Sequence, residues 1–293
     1  MRKVHFLVFM VASCAAVQKN RPGGALPYDM KRPSQVFELP ALLIEVSALT
    51  DVDDTTLACV HDESASVYFL SARSGRIVDS VTFAGPADME GLTRVGSNYY
   101  ALRSDGLIYR LSDRASRMQV IDTFRIDVPN RNIEGLGFDD HSGSVLVSPK
   151  DFVKGSKEGK DERLVYALDP GSMTSAPQVI LKVSLDKLVR QALTKGIEVP
   201  RTMKKGRERP ALKLRYSSVA VHPVSHYYYL LSAVDHTLLV LDRQGDLVDL
   251  VVLDEKLLPK AEGITFMPDG DMWLSSEGKG RSAVLARYAL NGR

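Results

Sequence analysis

Three glutamates occupy one recurring setting: Met89-Glu90-Gly91-Leu92, Ile133-Glu134-Gly135-Leu136 and Ala261-Glu262-Gly263-Ile264. Each Glu-Gly pair precedes an apolar, strand-like stretch. Glu45, in Ile44-Glu45-Val46-Ser47, stands one interval before Glu90, and Ser217 one interval before Glu262, on a period of about 45 residues. Acids at one place in successive units converge if the units close into a ring. Four carboxylates facing one another in a low dielectric must keep protons or enclose a cation. An oxygen-only donor set suits a hard cation and favours Ca²⁺; no His or Cys recurs in the ring, which disfavours zinc. The metal set expected on this reading is Glu45, Glu90, Glu134, Glu262 and Ser217. The competing reading is structural, with each Glu accepting a neighbouring backbone N–H and stapling the ring.

The elements that position these residues follow from the same period. Inner strands start at the recurring position. Second strands read Leu57-Ala58-Cys59-Val60, Tyr99-Tyr100-Ala101-Leu102, Val145-Leu146-Val147-Ser148, Tyr228-Tyr229-Leu230-Leu231 and Met272-Trp273-Leu274-Ser275. Such β-branched and aromatic runs between turn residues are strand signals. Third strands carry Tyr68, Tyr109, Tyr166 and Tyr288 at one position, expected to pack between repeats. Fourth strands follow a glycine turn at Arg76 to Val81 and Asp246 to Val251. Four strands per period of this length indicate an all-β propeller. The last unit ends after its third strand, and Gln35-Val36-Phe37-Glu38-Leu39 supplies the missing one. The expectation is a five-bladed β-propeller closed by an N-terminal strand. A sixth blade would have to hide in 184–212, which lacks the strand pattern.

An inner strand starts at one face and the second strand returns to it. The loops leaving the second strands therefore rim the same mouth with Asp62, Glu63, Asp105, Asp151, Asp235 and Glu277. The insertion at 184–212 has apolar residues at helical spacing from Leu185 to Leu193, then a basic loop from Arg201 to Pro210. Such a loop is a solvated surface, or meets anionic lipid or glycan. Nucleic acid is disfavoured, because no aromatic residues interleave with the basic ones.

The 293-residue chain has a formal net charge of +2, so no global charge argument applies. Residues 1–13 read as a signal: Met1-Arg2-Lys3 is basic, the stretch from Phe6 to Ala12 is apolar, and Val11-Ala12-Ser13 precedes Cys14. That order resembles a bacterial lipobox and implies cleavage before Cys14 and lipidation there. Residues 14–34 read as a tether and 35–293 as the propeller. The expected address is the bacterial cell envelope, with Ala15 after the Cys pointing to the outer membrane. Cys59, in an apolar strand, reads as a buried inert thiol.

The runs Glu45 to Leu49, Asp88 to Thr93, Asn132 to Leu136 and Ala261 to Gly270 together resemble the SdiA-regulated family of bacterial β-propellers, over roughly Phe37 to Leu290. The resemblance implies fold and bacterial origin, with no activity to carry over. More distantly, the Glu-Gly starts resemble the calcium-binding channels of gluconolactonase-like and phytase-like propellers, which imply a lactone hydrolase or a phosphoesterase. The chain departs from these at Ser217, and no His–Asp pair is placed as general base. Two functions follow. One is a lipid-anchored binding or scaffold propeller with a cation in its mouth, serving an envelope protein, a glycan or a small molecule. The other is a metal-dependent hydrolase acting there.

Overall fold

The computed structural model describes residues 26–114, 117–130, 132–153 and 158–291. Its strands are β1 (Gln35–Glu38), β2 (Val46–Asp53), β3 (Thr56–His61), β4 (Ser64–Ser71), β5 (Ile77–Thr82), β6 (Met89–Val95), β7 (Asn98–Arg103), β8 (Leu107–Leu111) and β9 (Val120–Arg125). They continue with β10 (Ile133–Asp139), β11 (Ser144–Pro149), β12 (Glu162–Leu168), β13 (Gln178–Ser184), β14 (Arg201–Lys204), β15 (Arg207–Pro210) and β16 (Ser218–Val221). The last are β17 (Tyr228–Ser232), β18 (Thr237–Leu241), β19 (Leu247–Val252), β20 (Ala261–Phe266), β21 (Met272–Ser276) and β22 (Val284–Tyr288). Five four-stranded antiparallel sheets result: β2–β5, β6–β9, β10–β13, β16–β19, and β20–β22 completed by β1. The chain is a five-bladed propeller. Gln35 pairs with Arg287 and Glu38 with Val284, so the N-terminal strand closes the ring as its pattern requires.

Second strands are apolar throughout because both of their faces are buried. In β7, Tyr99 and Ala101 pack on the first blade, while Tyr100 and Leu102 pack on the third. A period of two in contacts thus underlies an unbroken apolar run. Tyr68, Tyr166 and Tyr288 lie in the seams between blades, 7%, 4% and 2% exposed, as expected of a structural repeat. Cys59 is fully buried, and burial pushes its thiol well above the usual range.

The insertion differs in part from its sequence reading. The helix is present as α1 (Leu185–Thr194), capped by Ser184, whose Oγ accepts the Lys187 N–H, and seated by Leu185, Leu188 and Ala192. The basic loop is instead a hairpin of β14 and β15. Lys205 and Gly206, at φ 50° and 71°, make a two-residue turn with both residues left-handed, the geometry that matches strand twist. It forms no blade. The chain is also seated earlier than a tether through 34 would allow. Leu26 and Tyr28 are buried, and the Tyr28 hydroxyl donates to the Gly270 carbonyl at 2.6 Å. Cys14 and the signal segment lie outside the described residues.

Candidate functional site at the channel mouth

Four of the five inner strands begin with a register skip against their second strand, and β16 pairs with β17 without one. The skipped residue is Glu90 between Met89 and Gly91, Glu134 between Ile133 and Gly135, and Glu262 between Ala261 and Gly263. In the first blade it lies between Val46 and Ala48, and is therefore Ser47. A bulge turns its extra residue out of the ladder and re-aims the side chain, here into the mouth. Glu45 lies ahead of β2 and does not hold the ring position assigned to it by sequence. The ring reads Ser47, Glu90, Glu134, Ser217, Glu262. The Ser47 Oγ donates to Glu90 Oε2 at 3.2 Å, and the Ser217 Oγ to the Ala261 carbonyl at 2.9 Å.

The repulsion within this ring is relieved by two lysines that sequence reasoning passed over. Lys150, just after β11, pairs with Glu134. Lys260, just before β20, pairs with Glu262 at 2.9 Å and with Glu277 at 2.5 Å. Glu134 and Glu262 are 4% and 5% exposed at the side chain. The pairs hold both ammonium groups above their usual range against the pull of burial. Three carboxylates facing two ammonium groups leave one acid over, and among the described residues Glu90 is the one without a lysine in contact. Burial, then Asp88 and Glu262, pushes Glu90 up to about 7, and burial with Glu90 pushes Glu134 up to about 8. A proton therefore remains in the ring near neutrality.

That proton has a measurable consequence. The unfolded chain releases it near a glutamate's ordinary pKa of roughly 4.3. The folded chain holds it until about 7 to 8. Between those limits the folded state binds more protons, so stability falls as pH rises. Glu90→Gln removes the group while keeping an acceptor for Ser47. Its urea midpoint should gain on wild type between pH values of about 5 and 8. A difference that does not change with pH contradicts the shared proton.

Glu45 belongs to a second cluster. Donor atoms of Glu45, His61 and Asp62 all lie within 4.8 Å of one another. The Asp62 backbone N–H donates to the Glu45 carbonyl at 3.3 Å, fixing the loop after β3 against the entry to β2. The Asp62 Oδ1 is buried and lacks a hydrogen-bond partner among the described residues. Burial, then Glu45 and Glu277, pushes its carboxyl up to about 6. The His61 Nδ1 accepts the Glu63 N–H at 3.1 Å. Three other rim acids are already engaged. Asp105 pairs with Arg103 at 2.7 Å and Arg125 at 3.1 Å, Asp151 with Arg215 at 2.6 Å, and Asp235 accepts the Leu214 N–H at 2.7 Å. Glu277 is held by Lys260, and Glu63 reaches the cluster only through its backbone.

Two residues beyond the ring, Leu49, Leu92, Leu136, Val219 and Ile264 are 1% to 3% exposed and form an apolar collar across the channel. The collar desolvates the acids above it and separates them from a second cavity below. His222 borders that lower cavity, in the turn after β16, with its Nδ1 accepting the Val224 and Ser225 N–H groups at 3.1 Å.

No family model matches the chain, and no curated protein matches it. Among solved structures it is similar to the glutaminyl cyclase of Myxococcus xanthus, at 14% identity over 89% of this chain and 96% of that one, with a TM-score of 0.56. It is also similar to the WD40 propeller domain of Doa1 at 14% identity, covering 88% and 96% with a TM-score of 0.48. A chain of the mitotic checkpoint complex matches at 9% identity, covering 100% and 99% with a TM-score of 0.47. At these identities the likeness concerns the β-propeller fold and nothing finer.

Proposed function

We propose that the protein is a binding propeller of the bacterial cell envelope whose acidic mouth holds a divalent cation at Glu45, His61 and Asp62, with Glu277 beside them. The carrying observation is the convergence of three donor atoms within 4.8 Å, one of them on a carboxylate with a buried, unpartnered oxygen. A cation there would satisfy that oxygen and offset the charge of Glu45. The imidazole widens the choice of ion beyond the Ca²⁺ expected from oxygen donors, since imidazole also suits borderline metals such as zinc. A cation at Nδ1 would take the lone pair that accepts the Glu63 N–H, so loading should loosen that turn. The buried ring of Glu90, Glu134 and Glu262 already has its own cations in Lys150 and Lys260, which favours the rim cluster as the metal site. Binding is favoured over hydrolysis because a His61 Nδ1 that ligates the cation has no lone pair left to act as a base.

The binding should depend on pH. Asp62 must lose its proton to become a ligand, and that carboxyl is raised to about 6. Below that value the cation competes with a proton. Titration calorimetry with Ca²⁺, Mn²⁺ or Zn²⁺ should show affinity falling as pH drops through about 6. Affinity constant from about pH 7 to 5 would remove Asp62 from the site. The envelope address rests on the basic-apolar-small-Cys order ending at Cys14. Radioactive fatty acid should label the wild-type protein and leave Cys14→Ser unlabelled; label retained by the variant overturns that address.

A further inference from the structure

We propose that the cavity below the apolar collar is a second ligand site, independent of the mouth, that takes a small zwitterion of the α-amino-acid type with an apolar side chain. The cavity measures about 660 Å³, within the usual range of small-molecule sites. Its roof is the collar, and none of the ring acids Glu90, Glu134 and Glu262 lines it.

Its wall carries Asp51 and Arg94, from adjacent blades, with the exposed Asp140 at its edge beside His141. Asp51, on β2, accepts the Thr265 hydroxyl at 3.2 Å and returns its own N–H to that oxygen at 3.1 Å. Arg94, on β6, donates from Nη1 to the Val52 carbonyl at 2.9 Å. Among the described residues, its Nε and Nη2 have no hydrogen-bond partner, and Arg94 makes no ion pair with Asp51. Each group therefore feels the other without neutralising it. Burial pushes the Asp51 carboxyl up, as expected of a desolvated acid without a contacting cation. A ligand carrying only a carboxylate would face Asp51, and one carrying only an amine would face Arg94. A molecule bearing both charges satisfies both, with its ammonium at Asp51 and its carboxylate on the guanidinium. The third and fourth blades contribute Phe138 and Val221 to the wall, which suits an apolar side chain. His141 and His226 stand at the rim with ring centroids 4.5 Å apart.

The probe is L-leucine, titrated into the protein and followed by saturation-transfer NMR. The comparison set is leucinamide, which lacks the carboxylate, 4-methylpentanoate, which lacks the ammonium, and D-glucose, which is neutral. L-leucine should saturate, and each comparison compound should bind at least about tenfold more weakly. Arg94→Gln and Asp51→Asn should each cost at least about tenfold, and a metal chelator should change nothing. The analogue series is read on wild type, so it stands even where a variant fails to fold. Absence of saturable L-leucine binding overturns the proposal. So does a one-charge analogue or glucose that binds as well as L-leucine. Loss of binding with chelator would place the ligand at the mouth and equally overturn it.

Discussion

Lys260→Met should destabilise the fold by about 3 kcal/mol. Glu262 is 5% exposed and sits against Lys260 at 2.9 Å, and Glu277 depends on the same ammonium. Removing one partner of a buried pair leaves the other charge desolvated and uncompensated, which costs about 3–5 kcal/mol. Lys260 is 31% exposed, which places the loss at the lower end. The melting temperature should fall by roughly 6–12 °C for a domain of this size. The double variant Lys260→Met/Glu262→Gln removes the orphaned charge together with its partner and should regain most of the loss. A double-mutant cycle isolates that coupling. A single variant within about 0.5 kcal/mol of wild type would mean that the ring acids are not held by lysine.

Gly263→Ala should be at least as damaging, at about 3 kcal/mol or more. A Cβ at this position would stand 2.2 Å from the Ser275 Oγ, 2.8 Å from the Leu49 Cβ and 2.9 Å from the Leu49 backbone nitrogen. The serine hydroxyl can rotate away, but the Leu49 backbone belongs to the neighbouring blade and cannot move without opening the seam. This accounts for the Gly of the Glu-Gly pair: the bulge that sends Glu262 into the mouth also presses the next residue against the adjacent inner strand. Gly85 provides the control, since a methyl group added there would meet no atom within 4 Å. Gly85→Ala should stay within about 0.5 kcal/mol of wild type. Equal effects at both glycines, read from chemical denaturation, would refute the close seam.

Blade number, ring closure and the acid-bearing inner strands were legible because they depend on pattern and period. The first blade was misaligned for a physical reason. Matching Glu45 to Glu90 follows residue identity, whereas the bulge aligns Ala48-Leu49-Thr50 with Gly91-Leu92-Thr93 and puts Ser47 in the ring. The strands β9 and β13 escaped notice because outer strands are half solvated, and their polar residues blur the alternation. The lysines were visible as residues but not as partners. Lys150 leaves a second strand and Lys260 precedes an inner one, so only the closed ring shows them meeting the same acids. The rim cluster was legible in part: the loop leaving β3 was expected at the mouth beside the start of the first inner strand, but the role of His61, at the end of β3, shows only when Glu45 on the approach to β2 is in place.

The central claim is that the cation belongs to the rim cluster rather than to the buried ring. Calorimetric titration of Ca²⁺, Mn²⁺ and Zn²⁺ into wild type, Asp62→Asn and Glu90→Gln at a pH of about 7.5 tests it directly. One ion should bind at one site, with affinity at least about tenfold weaker in Asp62→Asn and within about threefold of wild type in Glu90→Gln. Undiminished binding in Asp62→Asn together with a large loss in Glu90→Gln, or no binding of any of the three ions to wild type, would contradict it.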